Sequence, residues 1–402
     1  MKYDFTSIME RRGKDAIAVD NVGKHMWGNE PKPPKDGFDF VPMWVADMNF
    51  PTCPAVTKAV IERAKHPAFG YFVPRQEYFD ATIRWQEEHH KVTCLTKKDI
   101  GYENGVHGCV TSAVQVLSQP GDRILLHRPF YLGFSEDIET IGRKSVYSDL
   151  KKDKDGIYRM DYEDMDAKIK KYKIHLVIFC SPHNPTGRVW ERWELEKAMK
   201  IFQENECYVI SDEIWADLTF SNHQHIPTQM IGEWAKQHTI AAYAPSKTFN
   251  LAGMIGSYHI IYNPYLRDRV RSYGENTHYN SQNVLSMYAQ IGAYSQEGSE
   301  WVEELCQVLE ENCRYACDFI KHNIRDVEVT MPQGTYMIFL DCTKHCRRMD
   351  RTLDDVLKAG WDVGIGWQDG RHFGGEYHIR MNLAHPLSQI RKVCKRMKEH
   401  VF

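Results

Sequence analysis

Two patterns of hydrophobic and polar positions alternate through the central part of the chain. Short, mainly apolar runs predict buried strands, and segments with apolar side chains three or four positions apart predict amphipathic helices. The predicted strands cover residues 123–126, 174–180, 207–211, 239–242 and 255–261. The predicted helices cover residues 53–66, 78–89, 108–117 and 191–204.

This alternation predicts an α/β fold with a mostly parallel sheet covered by helices on both faces. Beyond residue 290 the pattern changes to a helix, a hairpin, a strand and a closing helix, at 301–322, 327–340, 377–383 and 387–401. The first fifty residues are irregular, and segment 28–37 carries three prolines, typical of an extended arm. We therefore predict an arm at 1–49 that joins the small domain, a large cofactor-binding domain at 50–290 and a small α+β domain at 291–402.

Composition narrows the class of protein. The 402 residues are 42% hydrophobic and 26% charged, and the formal net charge of −3 argues against nucleic acid or an anionic membrane as the main partner. We see neither an apolar run of about 20 residues nor the apolar core of a signal peptide, and we expect a cytoplasmic protein. The 11 cysteines suit reduced thiols. A zinc site at Cys342, His345 and Cys346 is conceivable, but the common close-pair spacing is absent and we expect no metal.

The most informative segment is 244–253, which contains Ser246 and Lys247 and follows a predicted strand. A lysine at the end of a buried strand is poorly solvated, so its pKa tends to fall and its amine becomes a nucleophile toward an aldehyde. Pyridoxal phosphate is the aldehyde that most often meets such an amine. One lysine is weak evidence, but two further polar clusters follow predicted strands upstream.

The first of these clusters holds Asn184, in a proline-flanked loop, and the second holds Asp212. Asn184 could donate a hydrogen bond to a phenolate oxygen of the cofactor ring, or the loop could be a plain turn. A carboxylate at Asp212 would suit the protonated ring nitrogen of pyridoxal, although an Asp at a strand end is more often a helix cap.

Two further features suit a flat, phosphorylated ligand. Residues 105–108 place glycines at the start of an apolar helix, where backbone N–H groups bind anions, although a simple helix-entry turn explains them equally well. Tyr131 follows another strand and could stack on a heterocycle or fill the core.

Taken in order, these motifs resemble the fold-type I pyridoxal-phosphate enzymes of the aspartate-aminotransferase superfamily. The resemblance runs over nearly the whole chain and rests on SPHNPTG at 181–187, SDEI at 211–214, SKTFNLAG at 246–253 and RMNLA at 380–384. Segments 43–50 (MWVADMNF) and 69–71 (FGY) resemble the C–S β-lyase branch, which includes the cystathionine β-lyases.

The resemblance implies a role for each matching residue. Lys247 would hold pyridoxal phosphate as a Schiff base and then carry the α-proton, and Asp212 would pair with the ring nitrogen. Asn184 would bond the ring hydroxyl, and Tyr131 would stack on the ring. The phosphate would be held by Ser246 and by the backbone of Val106, His107 and Gly108.

The resemblance also implies a substrate site and a partner. Tyr71 would reach the phosphate of the neighbouring subunit, so the protein would be a homodimer with shared active sites. Arg380 would clamp the carboxylate of an amino-acid substrate, and Ala46 and Asn184 would line the substrate site. The peptide bonds before Pro129 and Pro185 are often cis in this superfamily.

Several positions depart from the pattern of the family. Trp215 stands where this branch usually has His or Tyr beside the cofactor ring, and Ile255 stands where many aminotransferases have a phosphate-binding Arg. His107 replaces a smaller or aliphatic residue in the phosphate turn; it could contact the phosphate or the substrate, or simply pack. Ala18 and Val19 replace a Lys-Trp pair, which leaves the choice of substrate open.

We therefore predict a pyridoxal-phosphate-dependent C–S β-lyase that cleaves cystathionine or cysteine S-conjugates to a thiol, pyruvate and ammonia. The alternative is an aminotransferase of an L-amino acid, which would use the same residues. A regulatory protein that uses the same fold to bind a partner is a third reading, because fold does not determine function.

Overall fold

A computed structural model of the chain describes residues 1–24 and 30–402. The first two positions of the predicted extended arm at 28–37 lie outside the described residues. Contacts divide the chain into two compact units. The first unit comprises Met1–Pro51, Asn184–Gly187 and Glu304–Phe402, and the second comprises Thr52–His183 and Arg188–Glu303. The domain boundaries after residues 49 and 290 stay a prediction.

The strands are, in chain order, β1 (Val41–Pro42), β2 (Ile100–Glu103), β3 (Arg123–Arg128), β4 (Lys144–Asp149), β5 (Lys151–Lys152), β6 (Tyr158–Arg159), β7 (Leu176–Cys180), β8 (Tyr208–Asp212), β9 (Thr239–Tyr243), β10 (Ser257–Ile260), β11 (Glu328–Val329), β12 (Met337–Asp341), β13 (Ile365–Gly366), β14 (Gln368–Asp369) and β15 (His378–Asn382).

The α-helices are α1 (Ile17–Asp20), α2 (Pro54–Ala64), α3 (Gln76–His90), α4 (Gly105–Leu117), α5 (Leu132–Glu139), α6 (Tyr162–Tyr172), α7 (Arg192–Glu204), α8 (Glu233–His238), α9 (Pro264–Thr277), α10 (Val284–Ala293), α11 (Gln296–Asn323), α12 (Thr343–Met349), α13 (Leu353–Asp362) and α14 (Leu387–Arg396). Within the described ranges, no helix is long and apolar enough to span a membrane.

The second unit is built on a seven-stranded sheet of order β2-β10-β9-β8-β7-β3-β4. The five strands from β9 to β4 are parallel to their neighbours, and β10 pairs antiparallel with both β9 and β2. The predicted mostly parallel sheet is therefore confirmed, with its antiparallel strands at one edge.

Successive residues of the central strands face opposite sides of this sheet, and both sides are buried. On β7, Ile178 packs in one core cluster with Val110 of α4, whereas Phe179 packs in a second cluster with Leu195 and Phe202 of α7. A strand covered by helices on both faces needs apolar side chains at every position, which explains the apolar run in this part of the sequence.

The parallel strands deliver polar residues to one edge of the sheet. The chain leaves β3 toward Tyr131, it reaches Asp212 at the last position of β8, and it leaves β9 toward Lys247. Because parallel strands end on the same side, their carboxyl ends form the edge where ligands bind in α/β proteins.

The first unit contains an antiparallel sheet of order β11-β12-β15-β14. Its β11 and β12 form the hairpin predicted at 327–340, and β15 corresponds to the strand predicted at 377–383. The N-terminal segment contributes β1, which pairs parallel with β13 in the same unit. The peptide bonds before Pro129 and Pro185 are cis, as expected, and so is the bond before Pro182.

Candidate active site

Lys247 lies in a tight loop between β9 and β10. Within this loop the backbone N–H of Phe249 donates to the carbonyl of Pro245 over 2.8 Å, and that of Leu251 donates to the carbonyl of Ser246 over 2.9 Å. The amine of Lys247 stands 5.9 Å from the ring centroid of Trp215, whose side chain is buried. The loop therefore presents a single amine next to an indole.

A buried carboxylate anchors this loop. Asp217 accepts hydrogen bonds from Thr248 Oγ1 at 2.8 Å and from Trp85 Nε1 at 2.9 Å, and its Oδ1 lies 2.9 Å from His90 Nε2. Burial alone would raise the pKa of Asp217, but the contacts with His90 and Trp85 outweigh it and lower the pKa to about 2. Asp217 is therefore ionised at neutral pH, and the residue after Lys247 is held in place. No motif in the sequence indicated this anchor.

Asp212 is the second titratable group at the edge of the sheet and is 4% exposed. Burial raises the pKa of its carboxyl to about 6, although the backbone N–H of Ile214 and the charges of His107 and Lys247 favour the ionised form. A carboxyl in this environment gains most from a cationic partner, and a protonated ring nitrogen is one. This environment fits the role predicted for Asp212.

The neighbouring Glu213 holds the end of β8. Its carboxylate lies 2.7 Å from His225 Nε2 and accepts hydrogen bonds from Tyr243 Oη at 2.5 Å and Ser211 Oγ at 2.9 Å. Burial would raise the pKa of Glu213, but His225 and Tyr243 outweigh it and the pKa is lowered. Because Glu213 is satisfied by these partners, Asp212 alone of the two acidic residues is left for a ligand role.

The predicted phosphate turn forms the first turn of α4, which begins at Gly105. The first backbone N–H groups of a helix lack intrahelical acceptors and carry a partial positive charge, so they bind anions. A Cβ added at Gly108 would lie 3.3 Å from the ring of Tyr279 and would crowd this end of the helix. The turn thus has the backbone N–H groups that a phosphate group requires.

Two further departures from the family also have definite positions. Ile255, which replaces a phosphate-binding Arg, is exposed and adopts a left-handed backbone conformation with φ of 43°. His107 contacts Asp137 and Tyr131 through its two ring nitrogens. Asp137 was not a candidate in the sequence, because it lies thirty positions from His107 and no motif includes it.

Four groups of the second unit together fit pyridoxal phosphate. They are the amine of Lys247, the carboxyl of Asp212, the N-terminus of α4 and the ring of Tyr131. The charges of Asp212 and Lys247 both act on the pKa of His107, which locates all three within electrostatic reach of one another. The second unit therefore brings together most of the residues predicted for cofactor binding.

Tyr71 is an exception, because its side chain is fully exposed to solvent. It lies in a segment where Phe69 and Val73 are also exposed. This position is the one expected of a residue that serves a neighbouring subunit, but the predicted role of Tyr71 stays a prediction.

The predicted substrate residues belong to the first unit. Arg380 on β15 is buried; its Nη1 donates to Asn184 Oδ1 at 3.3 Å and its Nη2 donates to Gln368 Oε1 at 2.5 Å and to the carbonyl of Trp44 at 3.0 Å. The guanidinium carbon also lies 4.1 Å from the ring centroid of Phe373. Two of the predicted residues, Arg380 and Asn184, are therefore in contact although 196 positions separate them.

Ala46 lies in the segment that passes beside Arg380. Its carbonyl accepts a hydrogen bond from Tyr336 Oη at 3.0 Å, and Asn382 Nδ2 donates to the carbonyl of Val45 at 2.7 Å. Gln368 and Asn382 were not singled out as site residues from the sequence. Gln368 holds the guanidinium of Arg380, and Asn382 holds the backbone at Val45 beside β15.

None of the 11 cysteines, all of which lie in the described residues, forms a disulfide. Burial raises the pKa of Cys342 and of Cys346, which favours protonated thiols at the pair considered for zinc. The absence of a metal stays a prediction.

Comparison with known proteins defines the class. Residues 40–397 match the family model of class I and II aminotransferases. The chain therefore belongs to the class I and II aminotransferase family, and the predicted superfamily is confirmed.

The relatives narrow the resemblance to one branch. The chain is 31% identical over 397 residues to cystathionine beta-lyase PatB of Bacillus subtilis. The matched region covers 98% of this chain and 99% of PatB. The chain is 29% identical to protein MalY of Escherichia coli over 97% of this chain and 96% of MalY.

Solved structures agree with these relatives. The pyridoxal-phosphate-bound C–S lyase of Staphylococcus hominis has 28% identity and a TM-score of 0.89 over 99% of this chain and 98% of the lyase. Cystalysin of Treponema denticola, which contains pyridoxal 5'-phosphate, has 29% identity and a TM-score of 0.90 over 99% of this chain and 98% of cystalysin. The predicted fold type is thus confirmed. The predicted resemblance to the C–S lyase branch is also confirmed, over nearly the whole chain.

Proposed function

We propose that the protein is a pyridoxal-phosphate-dependent C–S β-lyase that cleaves cystathionine or cysteine S-conjugates to a thiol, pyruvate and ammonia. The observation that carries the proposal is the position of Asp212 at the end of β8 and of Lys247 in the loop after the adjacent parallel strand β9, in a chain that matches C–S lyases over nearly its full length. When bound, the cofactor supplies an electron sink that makes the α-proton of an amino acid acidic.

Each of the predicted site residues would have a defined task in that reaction. Lys247 would hold the cofactor through its amine, and its free amine would accept the α-proton of the substrate at Nζ. The Asp212 carboxylate would favour the protonated form of the ring nitrogen. Tyr131 would stack on the ring, and Asn184 would donate a hydrogen bond to the ring hydroxyl oxygen.

The phosphate and the substrate carboxylate are held at two separate places. The backbone N–H groups of Val106, His107 and Gly108, together with Ser246, would bind the phosphate. Arg380 would offer its guanidinium to the substrate carboxylate, with Gln368 and the Trp44 carbonyl fixing the plane of the guanidinium.

The first experiment is an absorbance spectrum of the purified protein with and without added pyridoxal phosphate. We expect a visible yellow band that Lys247→Ala abolishes, with an adduct at Lys247 detected by mass spectrometry. Incubation with cystathionine and a panel of cysteine S-conjugates should then release pyruvate and thiol. A colourless protein with no adduct at Lys247 would refute the cofactor, and a coloured protein that releases no pyruvate would refute the lyase.

An aminotransferase is the second candidate, since the chain is also 26% identical to an aspartate aminotransferase of Bacillus sp. over 71% of its length. The proposed cofactor residues serve both reactions, so geometry does not separate them. Pyridoxamine phosphate that accumulates from an amino acid alone, without pyruvate, would favour transfer.

We further propose that two copies of the chain form a homodimer in which Tyr71 serves the phosphate site of its partner. Support comes from the apolar side chains of Phe69, Tyr71 and Val73, which are exposed in a single chain and become buried if a second copy covers the segment. Sedimentation should give twice the chain mass of 47.0 kDa. A monomer that binds the cofactor and is active would contradict the shared site.

We also propose a cytoplasmic location, supported by the 11 cysteines, none of which forms a disulfide in the described residues and which suit a reducing compartment. Fractionation of the source cells with an antibody to the protein tests it. Recovery in the extracellular or membrane fraction would contradict it.

A further inference from the structure

Three side chains from different parts of the second unit form a hydrogen-bonded row. His107 Nδ1 lies 2.7 Å from Asp137 Oδ2, and His107 Nε2 lies 3.0 Å from Tyr131 Oη. His107 comes from the first turn of α4, Tyr131 from the residue before α5, and Asp137 from within α5. The imidazole thus connects a carboxylate to the phenol that is proposed to stack on the cofactor.

The absence of a side chain at Gly133 leaves room for this hydrogen-bonded row. A Cβ added at Gly133 would lie 2.2 Å from His107 Cε1 and 2.8 Å from Tyr131 Cε1, so only glycine permits the two rings to approach there. The rings meet edge to face, with centroids 5.4 Å apart at 61°. Because both imidazole nitrogens have partners, the ring has one orientation that satisfies them.

The charges that act on His107 come from three neighbouring parts of the second unit. Burial alone would lower the pKa of His107, but Asp137 on α5 and Asp212 on β8 raise it, and Lys247 after β9 lowers it. The pKa of His107 is raised from 6.5 as the balance of these effects.

The protonation state of His107 determines which atom is the donor in its hydrogen bond with Tyr131. A charged imidazole donates one N–H to Asp137 and the other to Tyr131 Oη, so the hydroxyl hydrogen of Tyr131 turns away from His107. A neutral imidazole keeps its N–H on the carboxylate side, and its bare Nε2 accepts the hydroxyl hydrogen of Tyr131.

We propose that Asp137 and His107 are positioning residues for Tyr131, and that the protonation of His107 decides whether the Tyr131 hydroxyl donates a hydrogen bond toward the cofactor and substrate. This inference rests on the proposed function for its site, but the hydrogen-bonded row itself belongs to the protein without cofactor. On the acid side of the His107 transition Tyr131 is a donor toward the ligand. On the alkaline side it presents only lone pairs to the ligand.

The first experiment uses cofactor-free protein with isotope-labelled histidine. The NMR signal of His107, assigned by its loss in His107→Gln, should titrate with a midpoint above 6.5, and Asp137→Asn should lower that midpoint by about one unit or more. Nitrogen shifts above the midpoint should show the tautomer with hydrogen on Nδ1. An unchanged midpoint in Asp137→Asn, or a neutral form with hydrogen on Nε2, would overturn the proposal.

The second experiment follows the visible band and the rate of pyruvate release of the loaded enzyme against pH. We expect a transition at the His107 midpoint that moves to lower pH in Asp137→Asn and is absent in both His107→Gln and Tyr131→Phe. A matched control is His175→Gln, since His175 lies 3.6 Å from Asp122 at the surface, and this variant should keep the transition.

The two experiments separate the possible failures. A protein that binds no pyridoxal phosphate would refute the proposed function, while the NMR titration would still decide whether the row exists. A transition that persists unchanged in Tyr131→Phe would show that His107 does not act through this phenol and would refute the positioning role.

Discussion

Thr248 Oγ1 donates a hydrogen bond to Oδ2 of Asp217 over 2.8 Å, and Thr248 directly follows the lysine of the site. Both residues belong to the same compact unit, and Asp217 is held on its other oxygen by His90 and Trp85. The contact fixes the backbone next to Lys247 to the segment that follows β8. The loop that carries the Lys247 amine is thereby tied to a buried charge.

Thr248→Val should separate anchoring from chemistry. The valine keeps the shape of the side chain and removes a hydrogen bond to a charged acceptor, which costs roughly 1.5–3 kcal/mol. We expect the free energy of unfolding in urea to fall by about this amount. Thr343→Val, at the start of α12 where the hydroxyl is not part of this network, serves as the control and should leave the stability nearly unchanged.

Acid should weaken the same anchor. The pKa of Asp217 is lowered to about 2 from 3.8, so its contribution is present above pH 3.8 and is lost as pH falls through about 2. The contribution is about 2 kcal/mol. Urea titrations between pH 5 and pH 2 should show this loss in the wild type, and Asp217→Asn should show a correspondingly shallower acid dependence. Equal slopes in the two proteins would contradict the assignment.

Asp212→Asn should increase stability and decrease activity. Burial raises the pKa of Asp212 to about 6 from 3.8, so ionisation of this carboxyl costs stability as pH rises from about 4, and the full cost is present above about 6. The cofactor-free variant should therefore be more stable at pH 8 by about 3 kcal/mol, with the difference disappearing near pH 4.

The loaded Asp212→Asn enzyme should lose activity because a neutral amide does not keep the ring nitrogen protonated. We expect the rate of pyruvate release to fall by about 10²- to 10³-fold, the size seen when one electrostatic contact to a transition state is removed. The visible band should remain, since Lys247 is unchanged. Wild-type activity in this variant would show that Asp212 has no role at the ring.

Arg380→Lys should impair substrate binding more than cofactor binding. The lysine keeps the charge but loses the planar fork that donates to Asn184, Gln368 and Trp44. We expect KM for the amino acid to rise about tenfold to a hundredfold, with an unchanged visible band. Arg371→Lys, at a half-exposed arginine paired with Asp369, is the matched control and should leave KM unchanged.

Tyr71→Phe tests the shared site. If Tyr71 donates to the phosphate of a partner chain, loss of the hydroxyl should weaken the affinity for pyridoxal phosphate about tenfold while the mass in sedimentation stays that of the dimer. Tyr265→Phe, at another exposed tyrosine, should not change the affinity. Equal affinities in the two variants would place Tyr71 outside the phosphate site.

Local pattern was sufficient to predict the edge that carries the chemistry. Apolar runs predicted β7, β8 and β9, and because parallel strands end on one side of a sheet, the polar residues that follow them were expected together. Asp212 and Lys247 are found there. Helices α9 and α10 were not predicted, although Asn263 caps α9 by accepting hydrogen bonds from the backbone N–H groups of Tyr265 and Leu266, a signal that the sequence carries.

The partners of the site residues could not be predicted in the same way. Asp137 beside His107, Gln368 beside Arg380 and Asp217 beside Thr248 share no motif and no spacing with the residue that each one contacts. Each pair is made by chain segments that meet only when the unit has folded.

The sequence by itself determined the alternation of strands and helices, and with it the positions of Lys247 and Asp212, because periodicity and strand order are local consequences of side-chain polarity. Tertiary structure alone decided the charge state and orientation of these groups. Burial raises the pKa of Asp212, and Asp137 turns His107 toward Tyr131. Such effects depend on distances between residues far apart in the chain, and those distances exist only in the packed molecule.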